Sequence, residues 1–115
     1  MPKGKFSFPK RNIIRKKNEI QFLFKKGKFF SNGCLRFRHL SSEKPVQFLF
    51  SVSKKFGNAP ERNHLKRQLR EIVRLSSLTN SVTGDIAIYV TSSPRDRILY
   101  SQLQREVESF FSSIQ

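Results

Sequence analysis

Arg62, Lys66, Arg70 and Arg74 recur every four residues, with Asn63 and Arg67 beside them, and the chemistry open to such a set is the binding of phosphate. A helix turns about 100° per residue, so this spacing lines the cations along one face. Each guanidinium offers a planar fork of donors that matches phosphate oxygens, whereas the Lys66 ammonium is a point charge. Like charges four apart destabilise an isolated helix by a few tenths of a kcal/mol per pair, so something outside the helix should offset them. A merely solvated face mixes signs. This one carries only Glu61 and Glu71, near its ends.

Catalytic sets are harder to assemble. A metal-independent ribonuclease could use two histidines and a lysine. His39 and His64 are the only histidines, one on the core-side parity of a strand and the other on the basic helix, and no spacing joins them. Two-metal nucleases need clustered carboxylates. The eight acidic residues are scattered, with Glu61 and Asp96 near helix starts, Glu71 at the end of the basic row, and Glu106 and Glu108 on the last helix. Cys34 has no base placed beside it to make it a nucleophile. The sequence assigns this chain no catalytic residue and no metal ligand.

The elements that must position the basic row are written around it. Val46, Phe48, Phe50 and Val52 alternate with Gln47, Leu49 and Ser51, the period of a half-buried strand. Gly57 marks a turn, Asn58 is an N-cap with Glu61 three residues on, and Pro60 suits a first helical turn. A helix is expected from near Ala59, with Leu65, Leu69, Ile72 and Val73 as its buried stripe.

Upstream, residues 1–11 hold Lys3, Lys5, Lys10 and Arg11 among prolines and glycine, a basic arm ahead of one domain over 12–115. Asn18 is expected to cap a short helix with Ile20, Leu23 and Phe24 on its apolar side, ended by Gly27 in the left-handed conformation. Cys34 to Leu40 reads as a strand with Leu35 and Phe37 on one face and Cys34, Arg36 and Arg38 on the other. A turn over Ser41 to Pro45 should pair it antiparallel with the 46–52 strand. Downstream come a polar loop from Thr79 to Asp85, a strand from Ile86 to Thr91, and a helix start at Ser93. Leu99, Leu103, Val107, Phe110 and Phe111 form the stripe of a last helix. The order is α-β-β-α-β-α.

The chain has 115 residues, 37% of them hydrophobic, including twelve phenylalanines, enough for one domain with a core. A formal charge of +15 works against compactness unless an acidic partner is bound, which points to RNA, DNA or an anionic membrane. No apolar run approaches the ~20 residues that span a bilayer. The first residues lack the apolar stretch of a secretory signal. With Cys34 as the single cysteine there is no internal disulfide. These features place the chain in the cytoplasm.

Ser-Val-Ser-Lys-Lys-Phe-Gly-Asn-Ala at 51–59, then Glu-Arg-Asn-His-Leu-Lys-Arg-Gln-Leu-Arg-Glu at 61–71, resemble the signature of the bacterial ribonuclease P protein family. Lys-Lys-Asn-Glu-Ile-Gln-Phe-Leu-Phe-Lys-Lys-Gly at 16–27 extends the likeness. The resemblance implies a single two-layer α+β domain, with a central mixed sheet, three helices and a left-handed βαβ crossover, against the usual right hand. It implies a role as the protein subunit of an endonuclease whose catalytic RNA removes the 5′ leader of precursor tRNA. Magnesium would be held mainly by that RNA, and no membrane or obligate protein partner is expected.

By matching positions, Arg62, Asn63, His64, Lys66, Arg67 and Arg70 would dock on the catalytic RNA. Ile20 and Phe24 would wall a leader-binding cleft floored by Arg36, Arg38, Ser51, Ser53 and Lys55. Single-stranded RNA suits such a wall through stacking on aromatics and backbone contact with cations. His64 stands where the family commonly has arginine, Pro60 where it has valine, and Ile20 where it has phenylalanine. The alternative reading is a structural RNA-binding protein or RNA chaperone with no part in cleavage.

Overall fold

The computed structural model describes residues 13–76, 79, 81–91 and 99–114. The basic arm over 1–11 and the helix start at Ser93 lie outside them. Helix α1 (Lys17–Lys26) leads into strands β1 (Lys28–Asn32), β2 (Leu35–Pro45) and β3 (Gln47–Val52), then helix α2 (Ala59–Leu75), strand β4 (Thr83–Val90) and helix α3 (Tyr100–Ile114). The order α-β-β-α-β-α therefore stands, with one further strand, β1, ahead of the others.

The sheet runs β1-β2-β4-β3. β2 is antiparallel to β1 and β4, while β3 is parallel to β4. The expected β2–β3 hairpin is thus corrected, because β4 lies between its two arms. Ile86, Ala87, Ile88 and Val90 are buried on both sides of β4, and such a strand belongs in the middle of a sheet, where both faces are covered. β2 and β3 each keep a polar side. β2 also runs on through the segment expected to turn, so that Pro45 pairs with Thr83, and only Val46 separates it from β3, where Gln47 pairs with Asp85.

Gly84 permits this crossing. Its φ is +88°, and a side chain there would run into the Leu40 carbonyl oxygen and the Ser42 amide, where the β2 register shifts. The strand accordingly starts at Thr83, inside the expected loop.

Two expectations for α1 also change. Lys16 occupies the cap position without a side-chain bond, and Asn18 lies one residue inside the helix, its Oδ1 accepting from the Glu19 amide at 3.0 Å. Gly27 is extended, at φ −68° and ψ 147°, because the chain passes straight into β1.

α2 and α3 pack on one face of the sheet, α2 against β3 and α3 against β1 and β2. Phe37 stacks on Phe110 with centroids 4.1 Å apart, and Phe48 packs between Phe50 and Phe111. Leu65, Leu69, Ile72 and Val73 of α2 and Leu103 and Val107 of α3 complete this core. Leu99, assigned to the α3 stripe, precedes the helix and is exposed. α1 lies on the opposite face over β2 and β4, where Leu23 packs with Ile14 and Ala87.

The β1–β2 hairpin is fastened to α3. Its two-residue loop is Gly33-Cys34, and Gly33 has φ +60°, as a tight hairpin turn requires. Buried Glu106 accepts from the Leu35 amide at 3.3 Å and from Gln102 Nε2 at 2.9 Å, and its carbonyl accepts from Asn32 Nδ2 at 3.1 Å. A side chain on Gly33 would meet that carboxylate.

Candidate nucleic-acid interface

The basic row starts from a local device. Asn58 accepts from the Glu61 amide at 2.9 Å, and the Glu61 carboxylate accepts from the Asn58 amide at 2.8 Å, closing a capping box with Pro60 in the first turn. A cap of this kind is worth about 1 kcal/mol and sets where the helix begins, hence which way its cations face.

From that start, Leu65 and Leu69 point into the core while Asn63, His64, Arg67 and Arg70 are exposed and Arg62 and Lys66 half-buried. Arg62 donates from Nη1 to the Gly57 carbonyl at 3.4 Å, and the Arg70 guanidinium lies over the Phe50 ring at 5.9 Å. The row therefore runs up one flank of α2 above β3. All six residues assigned to docking share this helix.

The second surface is the α1 side of the sheet. Because paired residues share a face, the register sets Ser31, Arg36, Tyr89 and Ser51 in one line across all four strands. The next line is Phe29, Arg38, Ala87 and Leu49. Above them stand Ile20 and Phe24 of α1, with Phe24 edge-on to Tyr89 at 5.2 Å.

The arginines are held in place. Arg36 Nη1 donates to Ser31 Oγ at 3.1 Å, while Arg38 Nη1 donates to the Gly27 carbonyl at 3.3 Å and its guanidinium lies 5.0 Å from the Phe29 centroid. Fixed cations beside aromatic rings suit a single strand of RNA, whose bases stack and whose backbone is anionic.

Five of the seven residues assigned to this cleft, Ile20, Phe24, Arg36, Arg38 and Ser51, therefore meet on one face. Ser53 and Lys55 lie just beyond it. Ser53 Oγ accepts from the Lys55 amide at 3.2 Å and caps a 3-10 turn over Lys54–Phe56, on which the Lys55 side chain is exposed. The structure adds Tyr89 and Phe29. Tyr89 shares the strand parity of Ala87, opposite to Ile86 and Ile88, but that signal needs β4 to be known as the central strand. Phe29 fell in a segment given no element.

Of the groups that could catalyse, His39 and Cys34 are engaged elsewhere. His39 Nε2 lies 3.0 Å from the Thr83 carbonyl on the α3 side of the sheet, and its ring meets Phe110 edge-on, whereas His64 is exposed on α2. Burial pushes the Cys34 thiol up to about 11, helped by the neighbouring Glu106 carboxylate, to which it donates at 3.6 Å. A thiol in that state is a poor nucleophile at neutral pH. Among the described residues, no three of His, Cys, Asp and Glu form a group that could hold a metal ion. None of the described helices is long and apolar enough to cross a membrane.

Comparison with known proteins places this geometry in context. The Ribonuclease P family model matches residues 8–115. The ribonuclease P protein component of Finegoldia magna is 37% identical over 91 residues, covering 79% of this chain and 80% of that protein. That of Acholeplasma laidlawii is 35% identical over 94 residues, covering 81% and 79%. In fold, the RNase P protein of Staphylococcus aureus superposes with a TM-score of 0.75 at 26% identity, over 89% of this chain and 94% of that one. That of Thermotoga maritima gives 0.73 at 24% identity, over 89% and 96%.

Proposed function

The chain belongs to the ribonuclease P protein family, and we propose that its two basic surfaces divide the work of a ribonucleoprotein that matures the 5′ end of tRNA. α2 docks on the catalytic RNA through Arg62, Asn63, His64, Lys66, Arg67 and Arg70. The α1 side of the sheet binds the 5′ leader of precursor tRNA. The observation that carries the reading is the line Ser31, Arg36, Tyr89 and Ser51 beneath Phe24, which sets a cation, hydroxyls and rings side by side on a strongly basic chain.

The leader is present in the substrate and absent from the mature product, so contacts to it favour binding of the one over the other. This chain's residues bind and orient; the phosphodiester hydrolysis, an endonucleolytic cut, belongs to the RNA. Magnesium held by the RNA supplies the Lewis-acid chemistry there, and no step is assigned to a protein-bound ion or a protein side chain. By neutralising phosphates, the protein also lowers the magnesium that the RNA needs to fold. The complex acts in the cytoplasm, with RNA as its required partner.

The test is cleavage of a leader-bearing precursor tRNA at low magnesium by protein alone, catalytic RNA alone and both together. Activity only in the mixture is expected. Cleavage by pure protein would reveal an active site in this chain. No enhancement in the mixture would favour a structural RNA-binding role. For the docking surface, Arg67→Glu should weaken catalytic-RNA binding and flatten its log–log salt dependence by about 1, with circular dichroism unchanged. Normal binding by that variant would remove α2 from the interface.

A further inference from the structure

Phe29 stands where no core requires it. It lies on edge strand β1, on the α1 side of the sheet, yet α1 covers β2 and β4 and leaves the ring 48% exposed. One side of that ring is backed by the Arg38 guanidinium, 5.0 Å from its centroid, and Arg38 is itself tied to the Gly27 carbonyl. With about half of the residue exposed, the ring remains open to solvent. A phenyl ring held in orientation by a fixed cation and open to solvent is what an unpaired base stacks upon.

Its place in the sheet relates it to the surface already described. Phe29 is two strands and two residues away from Tyr89, roughly 12 Å at ordinary strand spacing and rise. One base cannot touch both rings. Arg36 lies between them, bonded to Ser31 on β1 and opposite Tyr89 on β4.

We propose that Phe29 is a second stacking platform for the leader, so that the strand runs between the Phe24–Tyr89 corner and the β1 edge, with Arg36 meeting its backbone on the way. The proposal rests on the leader reading of this face and extends it. Because every base presents a π-face, the platform recognises a single-stranded nucleotide without regard to its identity.

The experiment uses the holoenzyme, reconstituted from catalytic RNA and protein, and measures affinity for precursor tRNAs whose leaders are shortened one nucleotide at a time. Phe29→Ala should weaken binding about tenfold for long leaders and not at all for mature tRNA. The leader length at which its effect appears should differ by a few nucleotides from that for Phe24→Ala. Phe29→Tyr should bind as the parent does, and Phe29→Leu, which keeps an apolar side chain against Arg38, should not.

Three results would overturn the proposal: rescue by leucine as full as by tyrosine, a loss that persists with mature tRNA, or parental affinity of Phe29→Ala at every length. If Phe24→Ala keeps its leader-dependent loss while Phe29→Ala has none, the platform alone fails. If neither variant alters the dependence on leader length, the leader reading of the whole face fails with it. Should Phe29→Ala not fold, the tyrosine and leucine variants decide by themselves.

Discussion

On the side of the sheet that packs against α2 and α3, Phe30, Phe37, Ile88 and Phe50 form an apolar row across all four strands. One residue along each strand, the opposite side presents Ser31, Arg36, Tyr89 and Ser51. The same backbone hydrogen bonds hold both rows, and only the period of two separates them. Stability and the proposed binding are therefore written on alternate residues. A one-residue slip would carry the arginines into the core, so the dry face fixes the register on which the wet face depends.

The comparison fails if substitutions on the two sides have similar consequences. The largest effect is expected from Phe37→Ala, which removes the ring stacked on Phe110 and should cost about 3–5 kcal/mol in denaturant melts. A loss below about 1 kcal/mol would mean that the dry face is not what holds the fold. Glu106→Ala comes next. It strips the acceptor from the buried Leu35 amide and loosens the hold of α3 on the β1–β2 hairpin, at about 1–3 kcal/mol.

Arg36→Ala, one residue before Phe37, should leave stability within about 0.5 kcal/mol yet lower leader-dependent affinity roughly tenfold. Unfolding of that variant would erase the division between the faces. The last prediction concerns pH. The Cys34 thiol is raised from 9.0 to about 11, by burial first and by Glu106 second. Its contribution to stability is complete below 9 and disappears as pH climbs through about 11, since the unfolded thiol ionises first. Cys34→Ser should show a shallower loss of stability over that window, and an unchanged loss would assign it to other groups.

The parts of this arrangement that could be read in the sequence are the local ones. Asn58, Pro60 and Glu61 lie within four residues, and all the geometry of their capping box is contained there, so the start of α2 and the direction of its cations were legible. The parity of Arg36, Arg38 and Ser51 was legible for the same reason, since alternation is a property of one strand at a time.

The neighbour of each strand was not. Nothing in 46–52 says that a segment some thirty residues later will come between it and 35–45, and the burial of β4 on both sides becomes informative only once the candidates for the centre are compared. Tyr89 was missed through that gap, because its placement arises from strands laid side by side, and Phe29 because its segment was given no element. Asn18 shows a smaller failure, in which a good capping residue sits two positions beyond the cap of the helix it was expected to open.

The position of β4 also has a consequence in time. It is the last of the four strands in the chain and the one that joins β2 to β3. During synthesis, a nascent polypeptide that has not reached Thr83 has a β1–β2 hairpin and a separate β3, each with an open edge and neither able to complete the other. The apolar row and the line Ser31, Arg36, Tyr89 and Ser51 each become continuous only when β4 emerges, because Ile88 and Tyr89 bridge the halves that β1–β2 and β3 carry. The surface proposed for the leader therefore cannot close across the sheet before Tyr89 has been made.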